Sequence, residues 1–272
     1  MSRIYENVSE RMKKYQIELT LQRIECLNRK SALLSFTDVC KTLPEMEPGQ
    51  FAEILVEGAP GAMLRRPLSI HTLHRADNEV QFLIQLVGPG TERLSHLSAG
   101  DRVNVLLPLG KGFSYKDDDF KKPLLIGGGV GVAPLCFLGE ELAKRGIKPL
   151  FLLGGQTSQD VLRIEEFAKF GSVLITTNDG SLGEKGFVTD HSALNTEKPE
   201  YDRIFACGPL PMMKAVAEFA RLKNIYCEVS LENRMACGIG ACLCCVEKTD
   251  KGNVCVCTEG PVFSIDKLSW FH

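Results

Sequence analysis

Residues 122–134 read Lys-Pro-Leu-Leu-Ile-Gly-Gly-Gly-Val-Gly-Val-Ala-Pro, an apolar run that passes directly into a glycine-rich turn. A short, uninterrupted apolar run of this kind predicts a strand that is buried on both faces of a parallel sheet. The residues after the turn predict a helix that ends near Arg145, where Gly146 is suited to cap it. A strand, a tight turn and a helix in this order predict the first unit of an α/β domain.

The glycine-rich turn is a candidate anion site. Its small residues let the backbone approach a pyrophosphate, and the N-terminus of the following helix favours negative charge. The spacing of the glycines differs from G-x-G-x-x-G, so the common dinucleotide-binding motif is not claimed here. Two interpretations remain open on the residues alone, a phosphate-binding loop and a turn with packing duties only.

Further apolar runs follow this first strand, and helical stretches separate them. The runs cover residues 149–153, 172–176, 203–206 and 225–229, and a helix is predicted from Pro209 to about Lys223. Apolar strands that alternate with helices predict βαβ units and a parallel sheet. Cys207 and Gly208 follow one of these strands, at the sheet edge where ligands of open α/β sheets bind. For the Cys207 thiol the alternative is a small buried core residue.

The segment from Tyr15 to about Tyr115 has a different pattern, in which apolar and polar residues alternate with a period of two. Short runs recur at residues 17–21, 32–37, 51–56, 80–87 and 103–107. Turn residues separate them, among them the sequence Gly88-Pro89-Gly90. Short strands at this spacing predict an antiparallel barrel or sandwich. Residues 65–70 of this segment, Arg-Arg-Pro-Leu-Ser-Ile, combine an arginine fork with a hydroxyl, which suits a phosphate but also a polar edge strand that begins at proline.

Six of the eleven cysteines lie between residues 237 and 257. Cys237, Cys242 and Cys245 have the spacing C-x4-C-x2-C, which together with a distant fourth cysteine is typical of a plant-type [2Fe–2S] cluster. A zinc site is the alternative, but zinc usually takes two short C-x2-C pairs. Spacing alone does not exclude Cys244 or Cys255 as ligands, and Cys255 and Cys257 are predicted to share one strand face.

Composition limits the classes of function. The chain has 272 residues, enough for about two domains or three small ones. Its formal net charge of −2 gives no basic field for a nucleic-acid backbone. The longest uncharged stretch, residues 123–139, is interrupted by glycines and prolines, so no membrane span is predicted. Eleven cysteines, an odd total crowded toward one end of the chain, are a poor disulfide framework, which favours a reducing, cytoplasmic setting.

Taken together, these motifs resemble the ferredoxin–NADP reductase superfamily, in which an antiparallel FAD-binding barrel precedes an α/β pyridine-nucleotide domain. The cluster loop and the sequence Cys-Thr-Glu-Gly-Pro-Val-Phe at residues 257–263 narrow the resemblance to the electron-transfer subunits of NAD-dependent dihydroorotate dehydrogenase B. The resemblance implies an α+β multidomain chain. Its expected parts are an N-terminal extension (1–14), a β-barrel FAD domain (15–118), an α/β parallel-sheet NAD domain (119–231) and a small C-terminal [2Fe–2S] cluster domain (232–272).

The resemblance also assigns residues to FAD. Arg66 is expected on the FAD phosphates and Ser69 near the isoalloxazine ring system. The family often has an arginine where Gln85 stands, so no charged phosphate contact is expected at that position. The full set of implied FAD positions is Arg66, Pro67, Leu68, Ser69, Leu83, Ile84, Gln85, Gly90 and Thr91.

The nucleotide and the cluster receive their own residues by the same resemblance. The loop at residues 177–181 has no arginine to meet a 2′-phosphate, so NAD is favoured over NADP. The tail motif around Cys257 assigns this residue as the fourth cluster ligand. The implied NAD positions are Gly127, Gly128, Gly129, Gly131, Asp179, Cys207 and Gly208, and the implied cluster ligands are Cys237, Cys242, Cys245 and Cys257.

The activity implied by the resemblance is electron transfer in pyrimidine biosynthesis. A partner catalytic subunit would oxidise dihydroorotate with its own FMN, and electrons would pass through the [2Fe–2S] cluster and FAD to NAD+. No residue of this chain is expected to act on dihydroorotate itself. The family's assembly is a heterotetramer of two catalytic and two electron-transfer subunits. The cluster must lie near the partner, so the cysteine-rich segment is the predicted docking surface.

Two other functions stay open. The chain is also compatible with the flavin and iron–sulfur subunit of another complex, such as an NADH-dependent ferredoxin–NADP reductase. In the third interpretation, a zinc-stabilised interaction module is attached to a domain that binds a nucleotide. Zinc without acid-labile sulfide would indicate this last class.

Overall fold

The computed structural model describes residues 13–196 and 199–271. Of the predicted N-terminal extension, residues 1–14, all but Lys13 and Lys14 therefore lies outside the described residues.

The first half of the described chain forms a closed six-stranded barrel, which confirms the predicted antiparallel architecture. Its strands are β1 (Tyr15–Asn28), β2 (Ser31–Thr37), β3 (Phe51–Ile54), β4 (Arg66–His74), β5 (Glu79–Gln85) and β6 (Arg102–Leu109). They neighbour one another in the order β1-β2-β5-β4-β3-β6, and every pair is antiparallel. Because side chains alternate along a strand, each strand sends every second residue into the barrel core.

The barrel core is filled by large apolar side chains. Leu19 and Leu21 of β1 point into it, and Phe36 meets Phe82 edge to face with ring centroids 6.1 Å apart. Each such side chain contributes roughly 2 kcal/mol when it is fully removed from water. Phe137, from a helix of the second half, also packs in this core, so the two halves share buried surface.

A short helix interrupts the barrel where the sequence predicts a turn. Helix α1 (Pro89–Ser95) begins directly after Gly88. Residues 88–90 therefore separate two barrel strands, as predicted, but they also begin a helix that the sequence analysis did not predict. The physical reason is that proline has a φ suited to the first position of a helix and lacks an N–H that this position leaves unpaired anyway.

The second half forms a seven-stranded sheet with helices packed against it. The remaining strands are β7 (Pro123–Gly128), β8 (Leu150–Gly155), β9 (Ser172–Thr177), β10 (Glu184–Lys185), β11 (Arg203–Cys207), β12 (Tyr226–Ser230), β13 (Val246–Thr249), β14 (Gly252–Cys255) and β15 (Val262–Ser264). The helices are α2 (Ala133–Lys144), α3 (Ile164–Phe167), α4 (Leu210–Leu222) and α5 (Val256–Glu259). None of the helices in the described part of the chain is long and apolar enough to cross a membrane.

The sheet order, β10-β9-β8-β7-β11-β12-β15, places the first strand of this half near the middle. From β7 the chain builds outward through β8, β9 and β10 on one side, and then returns to add β11 and β12 on the other. All of these pairs are parallel, and β15 pairs antiparallel with β12. The loops after β7 and β11 therefore face each other at the point where the strand order reverses, which is where such sheets bind ligands. As predicted, Gly146 ends α2 with φ +79°, and its amide bonds to the Ala143 carbonyl.

The C-terminal segment does not form a core of its own. Strands β13 and β14 pair as a hairpin, and β15 extends the large sheet. Buried residues of the segment, including Cys257, share a core with Phe51 and Leu109 of the barrel. The expectation that Cys255 and Cys257 share one strand face is wrong, because β14 ends at Cys255 and the chain turns into α5.

Candidate functional site

Five cysteines of the C-terminal segment converge on one side of the barrel. Cys237, Cys242 and Cys245 lie in the loop between β12 and β13, and Cys255 and Cys257 lie at the end of β14 and in α5. The loop turns sharply at Gly238 and Gly240, whose φ values of +66° and +82° suit glycine.

Backbone amides point at three of these sulfur atoms. The amides of Ala241 and Cys242 donate to Sγ of Cys237 at 3.3 and 3.4 Å. The Gly240 amide donates to Sγ of Cys257 at 3.2 Å, and the Cys257 amide donates to Sγ of Cys245 at 3.4 Å. Amide donors of this kind stabilise thiolate ligands and influence the reduction potential of a cluster.

The sulfur atoms of the cluster loop are near one another, since the thiol of Cys237 interacts with that of Cys242, and the thiol of Cys257 with that of Cys245. Among the described residues, the one group of three His, Cys, Asp or Glu ligand atoms that all lie within 4.8 Å of one another is elsewhere, at His71. No three of the cluster sulfurs are therefore that close. Cys237, Cys242, Cys245 and Cys257 offer four sulfur ligands, and backbone amides donate to three of these sulfurs, as the sulfurs around a [2Fe–2S] cluster require. The residues fit a [2Fe–2S] cluster.

The thiols differ in acidity. Burial raises the pKa of Cys237, but hydrogen bonds from the backbone of Ile239 and Cys242 outweigh this effect and lower its pKa to about 6. Burial, followed by the hydrogen bond to Cys245, raises the pKa of Cys257 to about 12. A metal binds a thiol in its deprotonated form. Because its pKa is lowered, the Cys237 thiol gives up its proton to a metal more readily than the Cys257 thiol does.

Glu53 of β3 lies directly beneath the cluster loop, and sequence reasoning missed it. A Cβ atom added to Gly238 would lie 2.9 Å from Cδ of Glu53 and from Cδ1 of Leu109, so only glycine fits. The carboxylate is fully buried, and its two oxygens have no hydrogen-bond partner among the described residues. Burial, with a smaller contribution from Cys237, raises the pKa of Glu53 to about 7. The only sequence signal was a lone charge in the run Phe-Ala-Glu-Ile.

Two neighbouring arginines of the barrel have different duties. Arg65 donates to the main-chain oxygen of Asn104 at 3.0 Å and is fixed to the barrel wall. Within residues 13–196 and 199–271, the guanidinium of Arg66 makes one hydrogen bond, which it donates to the Arg65 carbonyl at 3.4 Å. Its Nε lies where a Cβ at Gly90 would be. The structure thus brings together the predicted phosphate residue Arg66 and the predicted loop residue Gly90, which fits the phosphates of FAD.

The other predicted FAD residues lie on adjacent strands. Pro67 and Ser69 are the cross-strand partners of Glu53 and Phe51, so they lie on the outer face, toward the cluster loop. Thr91 uses its hydroxyl within the helix start, where it donates to the Gly88 carbonyl. The remaining positions divide between two cores and one cavity: Leu68 and Ile84 in the barrel core, Leu83 in the core shared with the sheet, and Gln85 at the cavity described next.

A cavity of about 760 Å³ opens at the reversal point of the sheet. Gly128, Gly129 and Gly131 line it from the loop after β7, and Gly208 from the loop after β11. A Cβ at Gly131 would lie 2.5 Å from Cα of Gly208, so the two loops touch through glycine alone. The predicted loop residues therefore come together at one concave site whose backbone and volume fit a dinucleotide.

Three predicted nucleotide residues contribute less directly. The Cys207 thiol is 1% exposed, and burial raises its pKa well above the usual value. Gly127 is packed against Val132, where a Cβ would lie 2.7 Å from Cγ1. Asp179 accepts from the Ser181 hydroxyl at 2.6 Å, while its neighbour Asn178 lines the cavity.

Three residues that the sequence analysis did not predict also line the cavity. Lys30 enters from the barrel, Phe187 from the segment after β10, and Glu232 from the chain leading to the cluster loop. Phe187 is 66% exposed, so its ring is accessible for stacking on a flat ligand. These three residues belong to separate elements, so no local sequence motif predicts that they lie together.

Comparison with known proteins agrees with this division of the chain. The family model for the iron–sulfur cluster binding domain of dihydroorotate dehydrogenase B matches residues 232–269. The model for the oxidoreductase NAD-binding domain matches residues 125–218. The chain is also similar to a solved NADH-dependent reduced ferredoxin–NADP oxidoreductase, with a TM-score of 0.82, 27% identity, and coverage of 93% of this chain and 90% of that one.

Curated relatives are similar over most of their length. The dihydroorotate dehydrogenase B (NAD(+)) electron transfer subunit of Listeria monocytogenes is 44% identical over 228 residues, which is 82% of this chain and 87% of the relative. That of Bacillus velezensis is 41% identical over 227 residues, with the same coverage. The chain therefore belongs to the family of dihydroorotate dehydrogenase B (NAD(+)) electron transfer subunits.

Proposed function

We propose that this chain carries electrons from the FMN of a dihydroorotate dehydrogenase catalytic subunit to NAD+, as part of pyrimidine biosynthesis. The observation that supports this most strongly is the cysteine loop beside the barrel, in which backbone amides donate to Sγ of Cys237, Cys245 and Cys257. A two-iron site against a flavin barrel, next to a dinucleotide cavity, is a set of parts suited to electron transfer. Among the described residues, none is placed to act as a general base on dihydroorotate in this proposal.

The chain's own residues hold and separate the cofactors. Cys237 and Cys242 would bind one iron, and Cys245 and Cys257 the other. Arg66 would neutralise the FAD phosphates, and Ser69 would lie at the ring system. When bound, the cofactors supply the conversion between single-electron and hydride transfer. The protein supplies their positions, and the corresponding domains are residues 15–118, 119–231 and 232–272.

The nucleotide would lie in the 760 Å³ cavity with its phosphates on the glycine loop after β7. The loop 177–181, which includes Asn178, has no arginine for a 2′-phosphate, and this supports NAD over NADP as the nucleotide. Gly208 leaves space above β11 for the nicotinamide. Glu232 lies at the same cavity, between the nucleotide loop and the cluster segment.

The partner would dock on the exposed side of the cluster loop. Ile239 and Leu243 are 50% and 66% exposed there, beside the exposed Cys242. Exposed apolar residues of this kind suit a protein interface. A cytoplasmic heterotetramer of two catalytic and two electron-transfer subunits completes the proposal.

The test is co-expression with an FMN-containing catalytic subunit, followed by an assay of dihydroorotate-dependent NAD+ reduction. The purified complex is expected to contain FAD, iron and acid-labile sulfide, and the isolated chain is expected to form no orotate. Orotate formation by the isolated chain, or a chain free of iron and flavin after anaerobic reconstitution, would refute the proposal.

A second candidate is the flavin and iron–sulfur subunit of an NADH-dependent ferredoxin–NADP reductase. The solved structure of such an enzyme is similar over 93% of this chain but only 27% identical, whereas a dihydroorotate dehydrogenase B relative is 44% identical, so this second candidate is not favoured. The same preparation decides between the two candidates. Reduction of NADP+ by NADH and reduced ferredoxin, without any response to dihydroorotate, would favour this second function.

A further inference from the structure

Three side chains that can bind a metal ion meet at the junction of the barrel and the nucleotide-binding half. They are His71 of β4, Cys136 of α2 and Glu166 of α3, and all three are buried. One ligand atom of each residue lies within 4.8 Å of the ligand atoms of the other two. The sites proposed above for FAD, NAD and the [2Fe–2S] cluster use none of these residues.

The surroundings of His71 leave one ring nitrogen to a cation. Nδ1 lies 3.0 Å from the Ala133 carbonyl, which can only accept, so Nδ1 carries the proton of this bond. In the neutral ring Nε2 is then an acceptor, and it lies 3.3 Å from a second acceptor, Oε2 of Glu166. A proton or a metal ion therefore has to lie between them. A histidine that binds a metal usually donates its other N–H to a carbonyl in this way.

The distances at this junction fit a metal ion better than a shared proton. A hydrogen bond between charged nitrogen and oxygen atoms is about 2.7–2.9 Å long, shorter than the separation between Nε2 of His71 and Oε2 of Glu166. Nitrogen and oxygen ligands of one tetrahedral zinc ion are about 3.3–3.5 Å apart, since each bond is about 2.0–2.2 Å. Nitrogen and sulfur ligands are about 3.6 Å apart, so Sγ of Cys136 would move by at most about 1.2 Å.

A zinc ion would also leave the junction electrically neutral. The carboxylate of Glu166 and the thiolate of Cys136 balance the two charges of Zn²⁺. Arg163 is balanced by Glu25, to which it donates at 2.9 Å. Arg163 also donates to Oε2 of Glu166 at 2.6 Å, and a hydrogen bond of this kind orients a carboxylate ligand.

Glu140 supplies a further carboxylate on the same helix as Cys136. Side chains four residues apart are neighbours on a helix surface, so Glu140 lies on the Cys136 face of α2. One of its oxygens pairs with Lys144 at 2.8 Å, which balances its charge. The other, Oε2, is buried and has no hydrogen-bond partner among the described residues. Glu140 is therefore a candidate for the fourth position of a tetrahedral ion.

We propose that His71, Cys136 and Glu166 bind one structural zinc ion. On binding, each residue donates an electron pair to the ion, the Cys136 thiol releases its proton to solvent, and no electron is transferred. Without the metal, a proton on Nε2 of His71 takes its place. Strand β4 also carries Arg66 and Ser69, and α2 follows the glycine loop after β7. The ion thus holds the strand of the proposed flavin residues to the helix beside the nucleotide loop, and the site does not depend on the [2Fe–2S] assignment.

The test measures zinc in the full-length chain. The chain is expressed with added zinc salt and reconstituted anaerobically with iron and sulfide, so that the cysteine loop is occupied. Plasma mass spectrometry is expected to find about one zinc ion per chain. X-ray absorption at the zinc edge should show one sulfur neighbour, with nitrogen or oxygen atoms as the others. Zinc bound in the cysteine loop would have sulfur neighbours only.

Variants then assign the ligands. Cys136→Ala and His71→Gln are each expected to lose roughly four-fifths or more of the zinc. Wild-type chain from zinc-supplemented cells should unfold about 5 °C or more above chain from zinc-depleted cells, and this difference should vanish in both variants. Cys227→Ala is the matched control, because Cys227 is another fully buried thiol of the nucleotide-binding half, and it should keep the wild-type zinc content.

Wild-type chain without zinc would overturn the proposal, and so would zinc with sulfur neighbours only or an undiminished zinc content in Cys136→Ala. The absorption spectrum of the wild type decides the question even if a variant does not fold. Failure of the proposed cluster gives a different result, namely chain without iron and sulfide after reconstitution.

Discussion

A buried hydrogen-bond network around Glu166 joins the barrel to the nucleotide-binding half, and it gives a sharp prediction. Oε2 of Glu166 in α3 lies 3.3 Å from Nε2 of His71 in β4 and accepts from Nε of Arg163 at 2.6 Å. Arg163 also donates to Glu25 of β1 at 2.9 Å. Nδ1 of His71 lies 3.0 Å from the Ala133 carbonyl at the start of α2. The network therefore ties two barrel strands to two helices of the nucleotide-binding half.

The charge of Glu166 stabilises this junction in a way that depends on pH. Burial raises the pKa of Glu166, but the hydrogen bonds from His71 and Arg163 outweigh burial and lower the pKa from 4.5 to about 2. A difference of this size corresponds to about 3 kcal/mol. Because the unfolded chain binds the proton more readily, this stability is fully present above pH 4.5. It is lost as pH falls toward 2, with roughly 2 kcal/mol gone by pH 3.

We therefore expect Glu166→Gln to lower the free energy of unfolding by about 2–3 kcal/mol at pH 7 and by much less near pH 3. Urea unfolding followed by far-ultraviolet circular dichroism at both pH values measures the difference. Glu165→Gln is the matched control, since Glu165 is exposed on the same helix. Equal losses at the two pH values would refute the assignment of this pH dependence to Glu166.

Three other changes test the cofactor sites. Gly131→Ala places a methyl group 2.5 Å from Gly208 and is expected to weaken NAD+ binding about tenfold or more by calorimetry; Gly88→Ala, whose Cβ would meet nothing within 4 Å, should bind normally. Gly90→Ala displaces the Arg66 side chain, so bound FAD, measured by absorbance, should fall by half or more; retention of full flavin would contradict the phosphate assignment. Glu53→Gln removes a carboxyl whose pKa burial raises from 4.5 to about 7. In the wild type, the folded chain holds the proton on Glu53 more tightly than the unfolded chain does, so the free energy of unfolding should fall as pH rises from 4.5 to about 7. In Glu53→Gln, the fall in the free energy of unfolding over this pH range should be smaller by roughly 2 kcal/mol. A pH profile unchanged from the wild type would contradict the burial argument.

Much of the fold follows from patterns that are local in the sequence. The alternation of apolar and polar residues in β1 predicts a strand with one face in a core. The uninterrupted apolar run of β7 predicts a strand that is covered on both faces. The glycine turn and the C-x4-C-x2-C spacing are local too, because a close backbone approach and a wrapped cluster each require particular residues at fixed offsets. Such features are predictable because neighbours along the chain decide them.

The residues that sequence reasoning missed depend on contacts between distant segments. Glu53 is 184 positions before Cys237, and its environment exists only once the cluster loop has folded onto β3. The same is true of Lys30 and Phe187, which line the same cavity as the glycine loop but belong to separate elements.

The position of the cluster segment has a physical explanation beyond its metal. The structure attaches this short segment to the rest of the chain at two places. Strand β15 pairs with β12 and so fixes one end of the segment to the large sheet. Gly238 lies against Glu53 and Leu109 and so fixes the other end to the barrel. The sheet and the barrel that hold the two ends also contain the residues proposed for the nucleotide and the flavin. In this proposal the separation between the cluster and the flavin is therefore set by the packing of the fold, as electron transfer requires.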